Sequence, residues 1–491
     1  MGSVAGAGGE FAVKLGKKEV VAAALPMQEH WLPLSNLDLL LPPLDVGVFF
    51  CYPNPTTIAS QGLGYGSMVG ILKAALAQAL VSYYALAGEV VQNSVGEPEL
   101  LCNNGGVDFS EASADIELRH LNLYNPDETI EGKLVPTKKR GVLAVQATEL
   151  KCGGIVVACT FDHRIADAYS ANMFMVFWAE TARSAAPTSL PPSFRRSLLN
   201  PRRPLCVDPS LDSMYIPVSA LPPPPKQKQK ADEQYETTTS RDDDCLVSRM
   251  YYVTTAKLSE LQQRACSSGS KRSKLESFSA FLWKMVAESS SVANNDNSKT
   301  MSRMGIVVDG RCRLMSRGMD GKPTPMASYF GNVLSIPFGE KRAMEVVEKP
   351  LSWVAEAVHE FVERTATREH FLDLIDWVEE HRPVPAVARI YCKPGKKEEE
   401  EEEEEGSTAF VVSSGQRFPV TEMDFGWGKP AVGSYHFPWG GEAGYVMPMP
   451  SPLSNGDWVV YLHLSRSQVA FIESHAPTVF RPLTPRYLNL L

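Results

Sequence analysis

The stretch Cys152-Gly-Gly-Ile-Val-Val-Ala-Cys-Thr-Phe-Asp-His-Arg-Ile-Ala-Asp-Ala-Tyr-Ser170 decides how the chain is read. The run from Ile155 to Phe161 has the length and β-branched content of a strand buried on both faces. It passes straight into Asp162-His163. After a tight stretch to Asp167 the apolar spacing becomes helical, with Ala171, Phe174 and Trp178 on one face of a helix over Ala168 to Ala182. A strand feeding a helix in this way is α/β, and α/β sheets place their chemistry at the carboxyl ends of strands. His163 falls at such an end, and Asp167 is placed to cap the helix and brace the turn that aims the imidazole. The chain has nine histidines, so His-x-x-x-Asp by chance is about an even bet. The plain alternative is a helix cap beside a structural histidine.

Outward from this stretch the α/β pattern continues. Val46 to Tyr52 and Gly141 to Ala147 read as strands, and Ile71 to Leu86 as an amphipathic helix carrying Leu72, Ala75, Leu76, Ala79, Leu80 and Tyr83 on one face. Residues 1–186 form a first domain in this reading. Residues 187–244, rich in Pro and charge, form an exposed crossover. Residues 245–491 form a second domain, with strands at Met250 to Val253, Met304 to Asp309, Asn332 to Pro337, Phe410 to Ser413 and Trp458 to Leu464, and helices at Ala256 to Cys266 and Ser277 to Glu288. An acidic loop over 394–407, with eight consecutive glutamates from Glu398 to Glu405, reads as a solvated insertion in this second half.

The 491 residues are 44% apolar and 21% charged, which excludes a disulfide-stapled module or a disordered chain and fits two globular α/β domains. The net charge of -9 gives no basic surface for nucleic acid. Nine scattered cysteines without Cys-x-x-Cys spacing read as reduced thiols, hence a cytoplasmic protein. No run reaches the roughly eighteen apolar residues of a membrane span. The segment Gly62-Leu-Gly-Tyr-Gly-Ser-Met-Val-Gly70 lacks the spacing of a phosphate loop and reads as a helix entry. There is no Gly-x-Ser-x-Gly elbow and no His-Glu-x-x-His or Cys/His cluster, so neither serine acyl-enzyme nor metal chemistry has a motif.

Two motifs together carry a resemblance. His163-Arg-Ile-Ala-Asp167 lies about a third of the way along, and Asp424-Phe-Gly-Trp-Gly428 lies near the carboxyl end. Between and before them stand Leu34-Ser-Asn-Leu-Asp38, Leu86-Ala-Gly88, Gln146, Cys152-Gly-Gly154, Val308-Asp-Gly-Arg311 and Tyr329-Phe-Gly-Asn332. In this set and order, over about residues 30 to 485, the chain resembles the plant acyl-CoA-dependent acyltransferases of the BAHD family.

The resemblance implies two similar-sized chloramphenicol-acetyltransferase-like domains around a solvent channel, with acyl-CoA as co-substrate, a small-molecule acceptor, no permanently bound cofactor and no metal. It implies a monomer. It makes His163 the general base, a role that suits imidazole with its ordinary pKa near 6.5. Asp167 would pair with an arginine, here Arg311, rather than relay protons. Asp424, Gly426 and Trp427 would be architectural. For CoA, the basic and hydroxyl groups leading into a helix, Lys271, Arg272, Lys274 and Ser277, are the candidates.

The chain also departs from the family pattern. Ala168 replaces the usual Gly after the motif aspartate, and Glu89 a frequent Arg. Members that acylate shikimate or quinate carry Thr-x-Trp where this chain has Ser413 and Gly415, which leaves Ser413 as the oxyanion donor. Between Pro394 and Ser413 there is no Arg to meet an acceptor carboxylate, which disfavours an acidic acceptor. The runs Trp31 to Val46, Phe161 to Ser170 and Ser434 to Gly441 look most like coniferyl alcohol acyltransferases, which implies a neutral phenylpropanoid alcohol and an acetyl or hydroxycinnamoyl donor. Hydroxycinnamoyl transfer to another alcohol, acid or amine is the alternative within the family, and a non-catalytic acyl-CoA-binding protein the alternative outside it.

Overall fold

A computed structural model describes residues 11–54, 63–183, 187–220, 245–267, 270–293, 300–315, 325–392, 407–441 and 443–491. The acidic loop, apart from Ser407, and residues 221–244 of the crossover lie outside them.

Ile155–Asp162 is a strand buried along its whole length. It lies in a six-stranded sheet with the order Val13–Val21, Val107–Ala114, Leu143–Leu150, Ile155–Asp162, Asp45–Tyr52, Val432–His436. Burial on both faces explains why it reads as a continuous apolar run rather than an alternating one. Its two neighbours pair with it antiparallel. The last strand comes from far downstream, with Val432 opposite Cys51 and His436 opposite Gly47. The helices Tyr65–Ser82 and Ala168–Ala182 pack against each other over this sheet, and the Trp178 indole N–H donates to the Leu72 carbonyl at 3.0 Å.

A second sheet takes Leu334–Ser335, Met301–Asp309, Thr408–Ser413, Gly444–Pro450, Trp458–Ser465, Leu246–Val253 and Arg481–Pro482 in that order, with Phe338–Arg342 also pairing to Met301–Asp309. Thr255–Ala265, Lys274–Ala293 and Leu351–Thr365 share its apolar core. The fold is therefore two helix-covered sheets, as expected. The spatial halves do not follow the cut at residue 245, because Val432–His436 belongs to the first sheet.

Other expectations need correction. The crossover is exposed or half-buried over most of its described length, but it is anchored: Leu199, Leu211 and Tyr215 are buried in a third apolar cluster, and Tyr215–Pro217 pairs with Ala386–Ala388. Three apolar residues at irregular spacing leave no periodic signal to read. The first helix starts at Tyr65 rather than Ile71, enclosing Gly66 and Gly70, and ends at Ser82 before a 3-10 turn over Tyr84–Ala87. By length and mean hydropathy this helix is apolar enough to cross a membrane, contrary to the sequence reading; its inner face, with Leu72, Leu76, Ala79 and Leu80, is buried in the first core. The strand expected over Asn332 to Pro337 is only Leu334–Ser335, and the helices Leu351–Thr365 and Arg368–His381 were not foreseen.

Candidate active site

His163 follows directly on the strand that ends at Asp162, and its backbone is held from both sides. Its N–H donates to the Leu44 carbonyl at 2.9 Å, and its carbonyl accepts from the Asn332 amide side chain at 3.0 Å. Asn332 is itself fixed by Asp38, whose Oδ1 accepts both the Asn332 N–H at 2.7 Å and its Nδ2 at 2.9 Å. Asp38 is closed off by Ser35, whose N–H and hydroxyl both donate to Oδ2. The Leu34-Ser-Asn-Leu-Asp38 and Tyr329-Phe-Gly-Asn332 matches, 294 residues apart from Asp38 to Asn332, thus meet behind His163. Their proximity could not be read from spacing.

Asp167 has no exposed surface and turns away from this point. It caps the helix Ala168–Ala182 by accepting the Ser170 N–H at 2.9 Å. Its carboxylate also takes a two-pronged bond from Arg311, at 2.7 and 3.1 Å, and the Val333 N–H at 3.1 Å. Arg311, 2% exposed, spreads its remaining donors to Ser170 Oγ and the Gly331 carbonyl. Planar, bidentate geometry of this kind is what arginine rather than lysine provides. The pair expected from the resemblance is present, and it clamps the helix start to the second half.

The His163 ring lines a cavity of about 550 Å³ between the halves. Its Nδ1 is enclosed and has no hydrogen-bond partner among the described residues. The first half contributes Leu41, Leu44, Phe161 and Tyr169 to the wall; the second contributes Val307, Leu334, Ser413 and Met447. A further aromatic group, Tyr391, Phe437, Trp439 and Tyr445, lines the same space, with the Phe437 ring 6.3 Å from the His163 ring. Sequence reasoning missed this group, because Tyr391 ends a 3-10 turn, Phe437 and Trp439 follow the strand Val432–His436 and Tyr445 sits on another strand, so no common spacing joins them. The volume suits a small organic molecule, and the lining is mostly apolar.

Arg313 and Arg417 also line the cavity and are exposed, so this wall carries arginine outside the segment between Pro394 and Ser413. Arg417 lies 5.5 Å from the Tyr169 ring centroid. Asp309, on the same wall, has its carboxyl pushed up by burial, with Arg311 opposing the rise.

The remaining candidates divide. Ser413, 8% exposed, ends its strand on the cavity wall, which Tyr445 also lines. Asp424 does not line the cavity: its Oδ1 accepts the N–H groups of Gly426 and Gly428 at 2.8 and 2.9 Å. Gly426 has φ +109°, a conformation that favours glycine. Trp427 is buried, stacked on Phe425 and edge-on to Tyr52, so the turn is packed on the first sheet.

Lys271, Arg272, Lys274 and Ser277 do not line the cavity either. Ser273 and Glu276 close the start of that helix as a reciprocal cap, which occupies amides that were expected to meet phosphate. Ser277 Oγ donates to the Ser273 carbonyl, and Arg272 is buried in a pair with Glu356. Lys271 is exposed and Lys274 partly so.

A family model described as the Transferase family matches residues 11–478. The chain is 25% identical over 412 residues to omega-hydroxypalmitate O-feruloyl transferase of Arabidopsis thaliana, covering 81% of this chain and 79% of that protein. It is 25% identical over 469 residues to shikimate O-hydroxycinnamoyltransferase of Nicotiana tabacum, covering 92% and 96%. The crystal structure of vinorine synthase matches with a TM-score of 0.66 at 20% identity, over 96% of this chain and 99% of that one. TRI101 of F. sporotrichioides, complexed with coenzyme A and T-2, matches at 0.67 and 15%, over 91% and 98%. These two likenesses bear on the fold. With the family model spanning nearly its whole length, the chain belongs to the Transferase family, the BAHD acyl-CoA-dependent acyltransferases.

Proposed function

We propose that the protein transfers an acyl group from CoA to a neutral phenylpropanoid alcohol such as coniferyl alcohol, with His163 as general base. The observation that carries this is the His163 ring on the wall of a cavity built by both halves. With Nδ1 enclosed, Nε2 is the nitrogen left to meet a substrate. It takes the acceptor hydroxyl proton as that oxygen attacks the thioester carbonyl. The carbon–sulfur bond then breaks and the thiolate takes the proton back from the imidazolium. No acyl-enzyme is formed. A positioned base of this kind contributes about 10²–10⁴ in rate.

The aromatic wall supports a flat, ring-bearing substrate, and the two arginines are exposed rather than deep, which favours a neutral acceptor over an acid. TRI101 in complex with coenzyme A supports the donor class. The nine unpaired cysteines support a reducing compartment such as the cytoplasm. His163→Ala should lower turnover by at least about 10²-fold; unchanged turnover would overturn the assignment. A panel of acetyl-CoA and hydroxycinnamoyl-CoA against coniferyl alcohol, shikimate and an aliphatic amine tests the acceptor, and a preference for shikimate or the amine would refute it.

A further inference from the structure

The reaction just described builds negative charge on the thioester oxygen, and a preorganised hydrogen-bond donor to that oxygen is a large contribution to such catalysis. At Gly415, where shikimate-acylating members place a tryptophan, a Cβ would stand 2.6 Å from Met449 Cγ and 2.8 Å from the Pro448 carbonyl oxygen. Backbone and two methionines occupy that space, so the donor has to come from elsewhere on the wall.

The neighbouring strand provides a group. In the parallel pairing of Thr408–Ser413 with Gly444–Pro450, Val411 lies opposite Tyr445. Alternation then sets Ser413, Tyr445 and Met447 on one face, and all three line the cavity. Ser413 stands close enough to the Tyr445 phenol to lower its pKa against the larger rise from burial, as a hydroxyl donating to the phenol oxygen does. Each hydroxyl carries one hydrogen. With the Ser413 hydrogen directed at the phenol oxygen, the Tyr445 hydrogen remains for a ligand. The Tyr445 ring meets Phe437 edge-on at 5.2 Å, and Phe437 meets His163 at 6.3 Å, so the pair faces the same space as the imidazole. Tyr435 cannot serve, since its hydroxyl already donates to Asn172 Oδ1 at 2.8 Å.

We propose that Tyr445 donates a hydrogen bond to the oxyanion of the tetrahedral intermediate, with Ser413 donating to the phenol oxygen behind it to fix the phenol's direction. The proposal rests on the acyl-transfer reading of His163. As the acceptor oxygen bonds to the carbonyl carbon, the carbonyl electron pair moves onto oxygen and the Tyr445 O–H meets it. The proton stays on the phenol, and the pair returns as the carbon–sulfur bond breaks. Burial raises the phenol pKa far above the ordinary 10, which keeps the group a neutral donor at all working pH values.

The test is steady-state kinetics of Tyr445→Phe, Ser413→Ala and the double variant, with thermal melts of each and His163→Ala in parallel. Tyr445→Phe keeps the ring contacts. Both kcat and kcat/KM are expected to fall together by about 10²-fold with KM within about twofold, the signature of an interaction made only in the transition state. Ser413→Ala is expected to lose less, about tenfold, and the double variant little more than Tyr445→Phe, because the two hydroxyls act as a unit. A Tyr445→Phe enzyme with kcat within twofold of the parent, or with raised KM and unchanged kcat, overturns the proposal. If that variant does not fold, an unchanged kcat in Ser413→Ala overturns it. Activity surviving in His163→Ala overturns instead the acyl-transfer reading beneath it.

Discussion

Asp167→Ala would leave the Arg311 guanidinium buried, with Asp309 Oδ1 at 3.3 Å as its one remaining carboxylate partner among the described residues. Breaking a buried pair by removing one member costs about 3–5 kcal/mol, and the helix cap at Ser170 is lost with it. The expected result is a markedly lower melting temperature and a parallel loss of activity. A variant that melts like the parent and remains active would contradict the clamp. At this scale the sequence was most legible where motif residues act on one another: His163, Asp167 and Arg311 were identified before any geometry. It was least legible where a residue acts through a partner that only the sheet register brings near, as with Tyr445 beside Ser413. Arg272 and Ser277 show the converse: Arg272 pairs with Glu356 and Ser277 donates to the Ser273 carbonyl, partners that a basic, hydroxyl-bearing helix start does not announce in sequence.

Among the elements, Val432–His436 has the most consequence for the site, because it carries the chain to Phe437 and Trp439. It is held by five register pairs with Asp45–Tyr52 and by the His436 Nε2 contact to Glu131 at 2.6 Å. Gly433 lies in its middle, where a Cβ would stand 2.5 Å from the Phe50 ring, itself stacked on Phe418. Gly433→Val should therefore push this strand off its neighbour, lowering thermal stability and kcat/KM together; a variant with wild-type melting and kinetics would show that the strand tolerates the change. Strands were legible as apolar runs, but which sheet this one joins was not, since pairing across nearly 400 residues leaves no local trace. The helix Arg368–His381 was legible but not read: Phe371, Leu374, Ile375 and Val378 stand at helical spacing, with Asp376 buried beside them and bonded to Arg202.

For the molecule as a whole, two histidines, His463 buried and His370 partly so, make stability depend on acidity. His370, bonded to the Ser335 hydroxyl, and His463, bonded to the Ser248 hydroxyl, are both pushed down to about 4, chiefly by burial. Between pH 4 and the ordinary value of about 6.5, the unfolded chain binds protons at these sites that the folded chain does not. Their contribution is fully present above about pH 6.5 and is lost as pH falls toward 4. Melting temperature should decline across that window, and His370→Gln should make the decline shallower. An unchanged slope would show that other groups govern acid unfolding.

The exchange of Val432–His436 into the first sheet also bears on how the chain is made. Until residue 436 has left the ribosome, Asp45–Tyr52 presents an almost wholly apolar flank with no strand to cover it, the kind of open edge that recruits other chains. The amino-terminal half is thus born waiting for its last strand, and translation that stops before Val432 should yield aggregates rather than a soluble half-enzyme.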